Sequence, residues 1–331
     1  MQLDTASLST RFRAAVLELH TQRVLITKYT GTLQARDLAE PPNCDGLGRI
    51  RHFRRKGSDG WSSNPLPIDP ASRALGCRDL EVLRAQVFQI AACNWRCWYC
   101  FVPFELLSAN PRYAEWLSAR ELIGSFLAQE SPPKVLDLSG GEPSLIPEWP
   151  LWVIEELQRR GLDRQYYVWT DDNLSTDYFW RFLTPAQQEF VATHPMYGRV
   201  GCFKGFDAES FAYTTRAAPA LFDYQFAIMS RLVASGMDVY AYVTFMTPAK
   251  NIGDSVRGFV DRLQAIDENM PLRTVPLEVQ VFSPVVKRLN DAHRGALKTQ
   301  WLALEIWRRE VEERFSSGLR DLPIHSVPFR R

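Results

Sequence analysis

The sequence predicts an α/β fold, a partial (β/α)6 barrel of the TIM type that follows an N-terminal extension. Three observations predict it. From residue 87 onward short apolar runs recur, at 87–91, 135–138, 166–169, 200–203, 239–245 and 279–282. Helix-like segments intervene, at 119–130, 149–160, 219–235, 255–266 and 297–315. The first 85 residues lack this alternation.

In chain order, a helix is expected over residues 10–21. A Pro, Gly and Asn-rich stretch follows over 40–77, with turn signals at Pro41-Pro42-Asn43, Gly57, Gly60 and Asn64-Pro65-Leu66-Pro67. Residues 1–85 therefore read as a loop-rich extension, and a role in covering the active site is expected of them. Residues 86–290 carry the barrel, and 291–331 a C-terminal amphipathic helix and short tail. Within the barrel, Ser118 with Glu121 makes a capping box for the first helix. Gly161 and Gly236 stand where glycine ends a helix. Strands alternating with helices pair in parallel through right-handed crossovers. Eight such units close a barrel and six leave it open, with chemistry at the carboxyl ends of the strands in either form.

Composition narrows the function classes. A hydrophobic fraction of 46% and a charged fraction of 23% over 331 residues suit a globular core that needs no disulfide staples. The net charge of +1 gives no global reason to expect nucleic acid, a membrane surface or an acidic partner. Arg49, Arg51, Arg54, Arg55 and Lys56 surround His52 and Phe53, and the run reads as a solvated basic loop rather than a phosphate-binding patch. The N-terminus has no apolar core of signal-peptide length, and no apolar run reaches the roughly 18 residues of a membrane span. A cytoplasmic protein is expected, in which the six cysteines are ligands or core residues rather than disulfides.

The chemistry is concentrated after the first apolar run, in Ala91-Ala92-Cys93-Asn94-Trp95-Arg96-Cys97-Trp98-Tyr99-Cys100-Phe101. Cysteines at this spacing can wrap one cubane iron–sulfur cluster from a single loop. Three thiolates then hold three irons, and the fourth iron keeps an open position, as catalytic zinc does. Structural zinc competes, but it wants four ligands and no fourth Cys or His lies near. A disulfide is disfavoured by the odd count, and chance core cysteines by the polar neighbours Asn94 and Arg96.

Further motifs follow at the ends of successive runs. Ser139-Gly140-Gly141-Glu142-Pro143 has two glycines that let the backbone approach a ligand, and a carboxylate able to accept from an ammonium. Alone it is a strand-to-helix turn. Trp169-Thr170-Asp171-Asp172-Asn173 reads equally as a cap or turn. Lys204, in Cys202-Phe203-Lys204-Gly205-Phe206-Asp207, ends the fourth run. Thr244, Thr247 and Ser283 either face the same cavity or are ordinary strand-end polar residues. Cys44 and Cys77 are isolated, which argues against a second cluster, and Cys202 reads as a small buried hydrophobe. Trp95, Trp98, Phe101 and Phe104 around the cysteine loop serve either to shield a reactive site or to pack the core.

The cysteine spacing resembles that of the radical S-adenosylmethionine superfamily, over residues 87–284. The resemblance implies a 4Fe-4S cluster on Cys93, Cys97 and Cys100 whose open iron is chelated by S-adenosylmethionine. Reductive cleavage then yields a 5′-deoxyadenosyl radical that abstracts hydrogen from an unactivated carbon. It also implies that Tyr99 contacts the adenine and that Gly140, Gly141 and Glu142 grip the methionine ammonium. One of Asp171, Asp172 and Asn173 would bind the ribose, and Lys204 would pair with the methionine carboxylate. An electron donor such as flavodoxin or ferredoxin is implied too. The expected activity is on a small-molecule or biosynthetic substrate, without membrane and with nucleic acid disfavoured. The stretch from Lys204 to Phe211 resembles the glycyl-radical activating enzymes, so an alternative is an enzyme that makes a glycyl radical on a protein partner. A further alternative is a non-catalytic metal-binding structural module.

Overall fold

The structure, a computed structural model, describes residues 2–77, 80–249 and 251–330. Its strands in chain order are β1 (Leu17–Glu18), β2 (Arg23–Thr27), β3 (Gly48–Arg54), β4 (Val82–Phe88), β5 (Ala114–Ser118), β6 (Val135–Ser139), β7 (Tyr167–Asp172), β8 (Tyr197–Phe203), β9 (Val239–Val243) and β10 (Thr274–Pro276). Seven of them form one sheet in the order β10-β9-β8-β7-β6-β4-β3. All neighbours are parallel except β3, which pairs antiparallel with β4. Each parallel strand lies beside its predecessor, so every crossover turns the same way and the sheet curls into a partial (β/α)6 barrel.

The strands form where the sequence is apolar on both faces, as parallel strands covered on both sides must be. Every residue of β6, β8 and β9 is buried. Alternation then sorts their side chains. Leu136, Leu138 and Phe203 pack outward with the helices. Phe53, Ala85, Val135, Trp169, Val200 and Tyr240 pack together on the inner side. Leu66, Ile68 and Ala71 join this inner cluster beside Leu83 and Val135, so the helix Ile68–Leu75 plugs the amino end of the barrel. The carboxyl end is left for the site.

Local signals account for several boundaries. The capping box of Ser118 and Glu121 starts the helix Ala119–Leu127. Glu148–Arg159 and Leu221–Ala234 run out just before Gly161 and Gly236, both at positive φ. The first helix, however, is Thr5–Val16 rather than 10–21, because the Asp4 carboxylate accepts from the Ser7 amide and residues 17–18 already enter β1.

Two expectations are overturned. The basic run 49–56 is not a solvated loop. It is largely β3, in register with β4 from Gly48 opposite Phe88 to Arg54 opposite Val82, with Arg49 buried. The sixth strand is β10, not 279–282, where Val281 and Phe282 are exposed. There the Gln300 side chain takes the place of a strand partner, accepting from the Val279 amide at 3.1 Å and donating to its carbonyl at 3.2 Å. The small antiparallel sheet β1-β2-β5 joins the barrel where the Thr27 amide donates to Gln89 O and the Ala91 amide to Leu25 O. Among the described residues no helix is long and apolar enough to cross a membrane.

Candidate active site

The chain leaving β4 turns into the cysteine loop, which is fixed from three sides. The Arg96 and Trp98 amides donate to the carbonyls of Thr215 and Thr214 at 3.2 Å each, behind the helix Ala208–Thr215. Arg288 donates to the carbonyls of Cys100 at 2.7 Å and Val102 at 3.0 Å. The Trp98 ring stacks on His293 with centroids 4.2 Å apart. These anchors hold the loop by its backbone and leave the cysteine side chains to face inward.

Cys93, Cys97 and Cys100 line one cavity of about 560 Å3 at the carboxyl end of the barrel. Burial pushes the Cys97 thiol up to about 12, with Lys204 working against it, and burial raises Cys93 and Cys100 as well. On their own these thiols are neutral at physiological pH. A bound metal supplies the positive charge that holds them as thiolates.

The turn after β6 packs directly on this loop. Gly140 and Gly141 have φ of +85° and +71°. A Cβ on Gly141 would meet Ile90 O at 2.4 Å and Ala92 O at 2.5 Å, so only glycine fits. The Glu142 amide then donates to Ala92 O at 2.8 Å. The Glu142 carboxylate is fully buried and lies outside the cavity wall, accepting from the Asn173 amide at 3.1 Å and from the Asn173 side chain. Burial, then the neighbouring Asp172, pushes it up to about 8.

At the end of β7 the three neighbours separate. Asp171 and Asn173 line the cavity. Asp172 instead points away from it, paired with Arg199 at 2.6 Å and capping the Leu174 amide at 2.7 Å. Cys202, on β8, is more than a buried hydrophobe: it faces the cavity and its thiol donates to Asp171 at 2.9 Å. Lys204 follows on the same wall. The buried Gln225 ties these strand ends together, donating to Asn173 O at 2.7 Å and Cys202 O at 2.8 Å. Tyr99 also lines the cavity, and its hydroxyl reaches Thr244 Oγ1 at 3.4 Å. Thr244, Thr247 and Ser283 stand outside the wall, and Ser283 is bound to Asp37.

The structure thus brings Cys93, Cys97, Cys100, Tyr99, Gly140, Gly141, Asp171, Asn173 and Lys204 around one space and leaves Glu142 and Asp172 out of its wall. Sequence reasoning missed the opposite wall, where Arg49, Arg51 and His52 of β3 face the cysteines' cavity. The signal was present in Gly48-Arg49-Ile50-Arg51-His52-Phe53-Arg54, where Arg49, Arg51 and Phe53 fall on one face of a strand.

Among the described residues no group of three or more His, Cys, Asp or Glu converges to hold a single metal ion. A cubane asks for a different donor set, three thiolates that each hold a separate iron and a fourth corner without a protein ligand. Three thiols of one loop facing a shared cavity match that requirement.

No family model and no curated protein matches the chain. Among solved structures it is similar to Streptococcus suis SuiB bound to S-adenosylmethionine, at 13% identity and a TM-score of 0.37, over 53% of this chain and 36% of that one. SuiB bound to the precursor peptide SuiA matches at 12% identity and a TM-score of 0.37, over 54% and 36% of the two chains. QueE from Escherichia coli matches at 12% identity and a TM-score of 0.30, over 59% of this chain and 85% of that one. The region matched in SuiB is 36% of SuiB's length. Likenesses this loose carry no functional argument.

Proposed function

We propose that this chain is a radical S-adenosylmethionine enzyme, with a 4Fe-4S cluster on Cys93, Cys97 and Cys100, acting on a small-molecule or biosynthetic substrate. One observation carries the reading: three thiols from a single loop share a cavity with polar groups from the ends of three successive strands, β6, β7 and β8. When bound, the cluster and S-adenosylmethionine supply one-electron cleavage of a sulfur–carbon bond and hydrogen abstraction from an unactivated carbon.

The chain's own residues bind and orient. Lys204 offers an ammonium to a carboxylate, and Asp171 a carboxylate to an ammonium or to hydroxyls. The Gly140-Gly141 turn keeps the backbone close to the cysteine loop, and Tyr99 presents a ring to a base. Glu142 acts on the site through Asn173, whose side-chain amide it orients, so its role is positioning rather than contact. Buried Trp95 and Trp98 keep water from the loop. The cavity of about 560 Å3 lies in the range of small-molecule sites, about 300–1,000 Å3, and would be shared by the cluster, S-adenosylmethionine and the substrate. Flavodoxin or ferredoxin is the proposed electron source.

The test is anaerobic purification and iron analysis. Brown protein with about four irons per chain, and 5′-deoxyadenosine formed only with a reductant, support the reading. Both must be lost on replacing any of the three cysteines by alanine. Colourless protein holding zinc would sink it and leave a structural metal module.

A further inference from the structure

We infer that Arg49 and Arg51 of β3 form an anion subsite that holds the substrate by a carboxylate or a phosphate. The inference rests on reading this cavity as the reaction site and names the class of molecule it takes.

The first observation is a buried cation with no ion pair of its own. Arg49 is only 6% exposed, and its Nε has no hydrogen-bond partner. Arg51, 30% exposed at its side chain, stands 3.8 Å from Asp137, and among the described residues no ion pair engages Arg49. Arg49 and Arg51 both act on the buried Asp137 carboxyl, and Arg49 has no ion pair of its own. Burying an uncompensated charge is strongly unfavourable unless a ligand completes it.

The second observation is orientation. The Arg49 guanidinium stands 5.9 Å from the ring centre of Tyr29 and 5.7 Å from that of Phe101. Aromatic neighbours at these distances confine the guanidinium, and its Nε is left without a hydrogen-bond partner. A planar fork of donors matches the oxygens of a carboxylate or phosphate in a bidentate pair.

The third is place. Both arginines line the cavity of Cys93, Cys97 and Cys100, and Phe101 directly follows the last cysteine. Carboxylates elsewhere on the wall are hydrogen-bonded to other groups, Asp37 to Ser283, Glu278 to the Ser58 amide and Asp171 to the Cys202 thiol, and none of them pairs with Arg49. His52 contacts Glu40 at 3.2 Å, and Arg54, on the same wall, is exposed, so Arg49 is the buried arginine of this wall.

Calorimetric titration of the intact protein, at constant ionic strength, with inorganic phosphate and separately with glutarate tests the subsite. One of the two is expected to bind saturably, and which one decides between phosphate and carboxylate. Affinity should fall at least tenfold in Arg49→Gln and severalfold in Arg51→Gln, with Arg49→Lys intermediate because it keeps charge and loses the fork. Arg51→Gln, at a partly exposed position, serves as the reading if Arg49→Gln fails to fold. Absence of binding by either anion overturns the inference, as does wild-type affinity in both variants. Competition between the bound anion and S-adenosylmethionine also overturns it, since the arginines then serve the cofactor. Wild-type protein that binds an anion through Arg49 but assembles no iron–sulfur cluster sinks the proposed function and leaves the subsite. Cluster and cleavage without anion binding do the reverse.

Discussion

The side-chain amide of Asn173 donates to the buried carboxylate of Glu142. The same nitrogen lies 3.7 Å from Cys93 Sγ, so one amide joins the turn after β6, the end of β7 and the cysteine loop. Neither partner stands near the other in sequence, and the link exists only because β6 and β7 are neighbours in the sheet.

Replacing Asn173 with alanine is expected to destabilise the protein by about 1–3 kcal/mol, since the buried Glu142 carboxyl group loses a hydrogen-bond partner. Urea unfolding of the metal-free protein at pH 7 reads the change. Stability equal to wild type would mean that the amide does not hold Glu142.

Gly141→Ala places a Cβ against two carbonyl oxygens and forces a non-glycine residue to positive φ. The left-handed conformation and the overpacking together are expected to cost roughly 2–4 kcal/mol. Gly258→Ala, in the helix Ile252–Ile266 with open space around the new methyl, is the neutral or stabilising control. Equal thermal midpoints for the two variants would refute the close approach.

Burial pushes the Asp137 carboxyl up to about 6 from an ordinary value of 3.8, although Arg51 opposes the shift. The folded state therefore holds this proton more tightly than the unfolded chain does. Its contribution to stability is complete below about pH 4 and is lost as pH rises towards 6. Asp137→Asn lacks that loss, so its stability relative to wild type should improve by ~2–3 kcal/mol between pH 4 and pH 7. Denaturant midpoints of both proteins at the two pH values check it, and a constant difference would exclude a shifted Asp137.

Deletion of residues 1–80 removes β3, the antiparallel partner of β4 over seven residues, and takes Phe12, Val16, Leu25 and Ile26 out of the core. The truncated chain is expected to aggregate or to lose its cooperative unfolding transition. A soluble fragment with a sharp transition and an intact cysteine loop would instead make the segment a separable cover.

Much of the barrel was legible because parallel strands bury both faces and so leave near-continuous apolar runs, as in 135–138 and 200–203. Helix ends were legible wherever a local device sets them, as at Ser118, Gly161 and Gly236. What escaped lacks those marks. β3 carries arginine at 49 and 51, where its inner face lines a polar cavity, and on that face an apolar residue only at Phe53, where it reaches the core. The apolar stretch 279–282 looks like a strand but is held by a glutamine side chain from the helix Asp291–Arg314. Within the site, adjacent Asp171 and Asp172 are indistinguishable by composition, and only the pleat of β7 sends one to the cavity and the other to Arg199. The loop spacing was readable because its ligands are local. The arginine wall was not, because it is assembled by a strand pairing across the sheet edge.

Asp37, in the segment before the edge strand β3, meets Ser283, in the segment after the other edge strand β10, through two hydrogen bonds of 2.7 and 3.0 Å at an exposed position. A fully closed barrel has a circumference set by an unbroken backbone ladder, and widening it means unzipping a strand. Here the ring is completed by hydrogen bonds between segments, Ser283 to Asp37, the Ser58 amide to Glu278 and the Trp61 indole to Pro276 O. Changing its girth would break these contacts between segments and leave every strand pair intact.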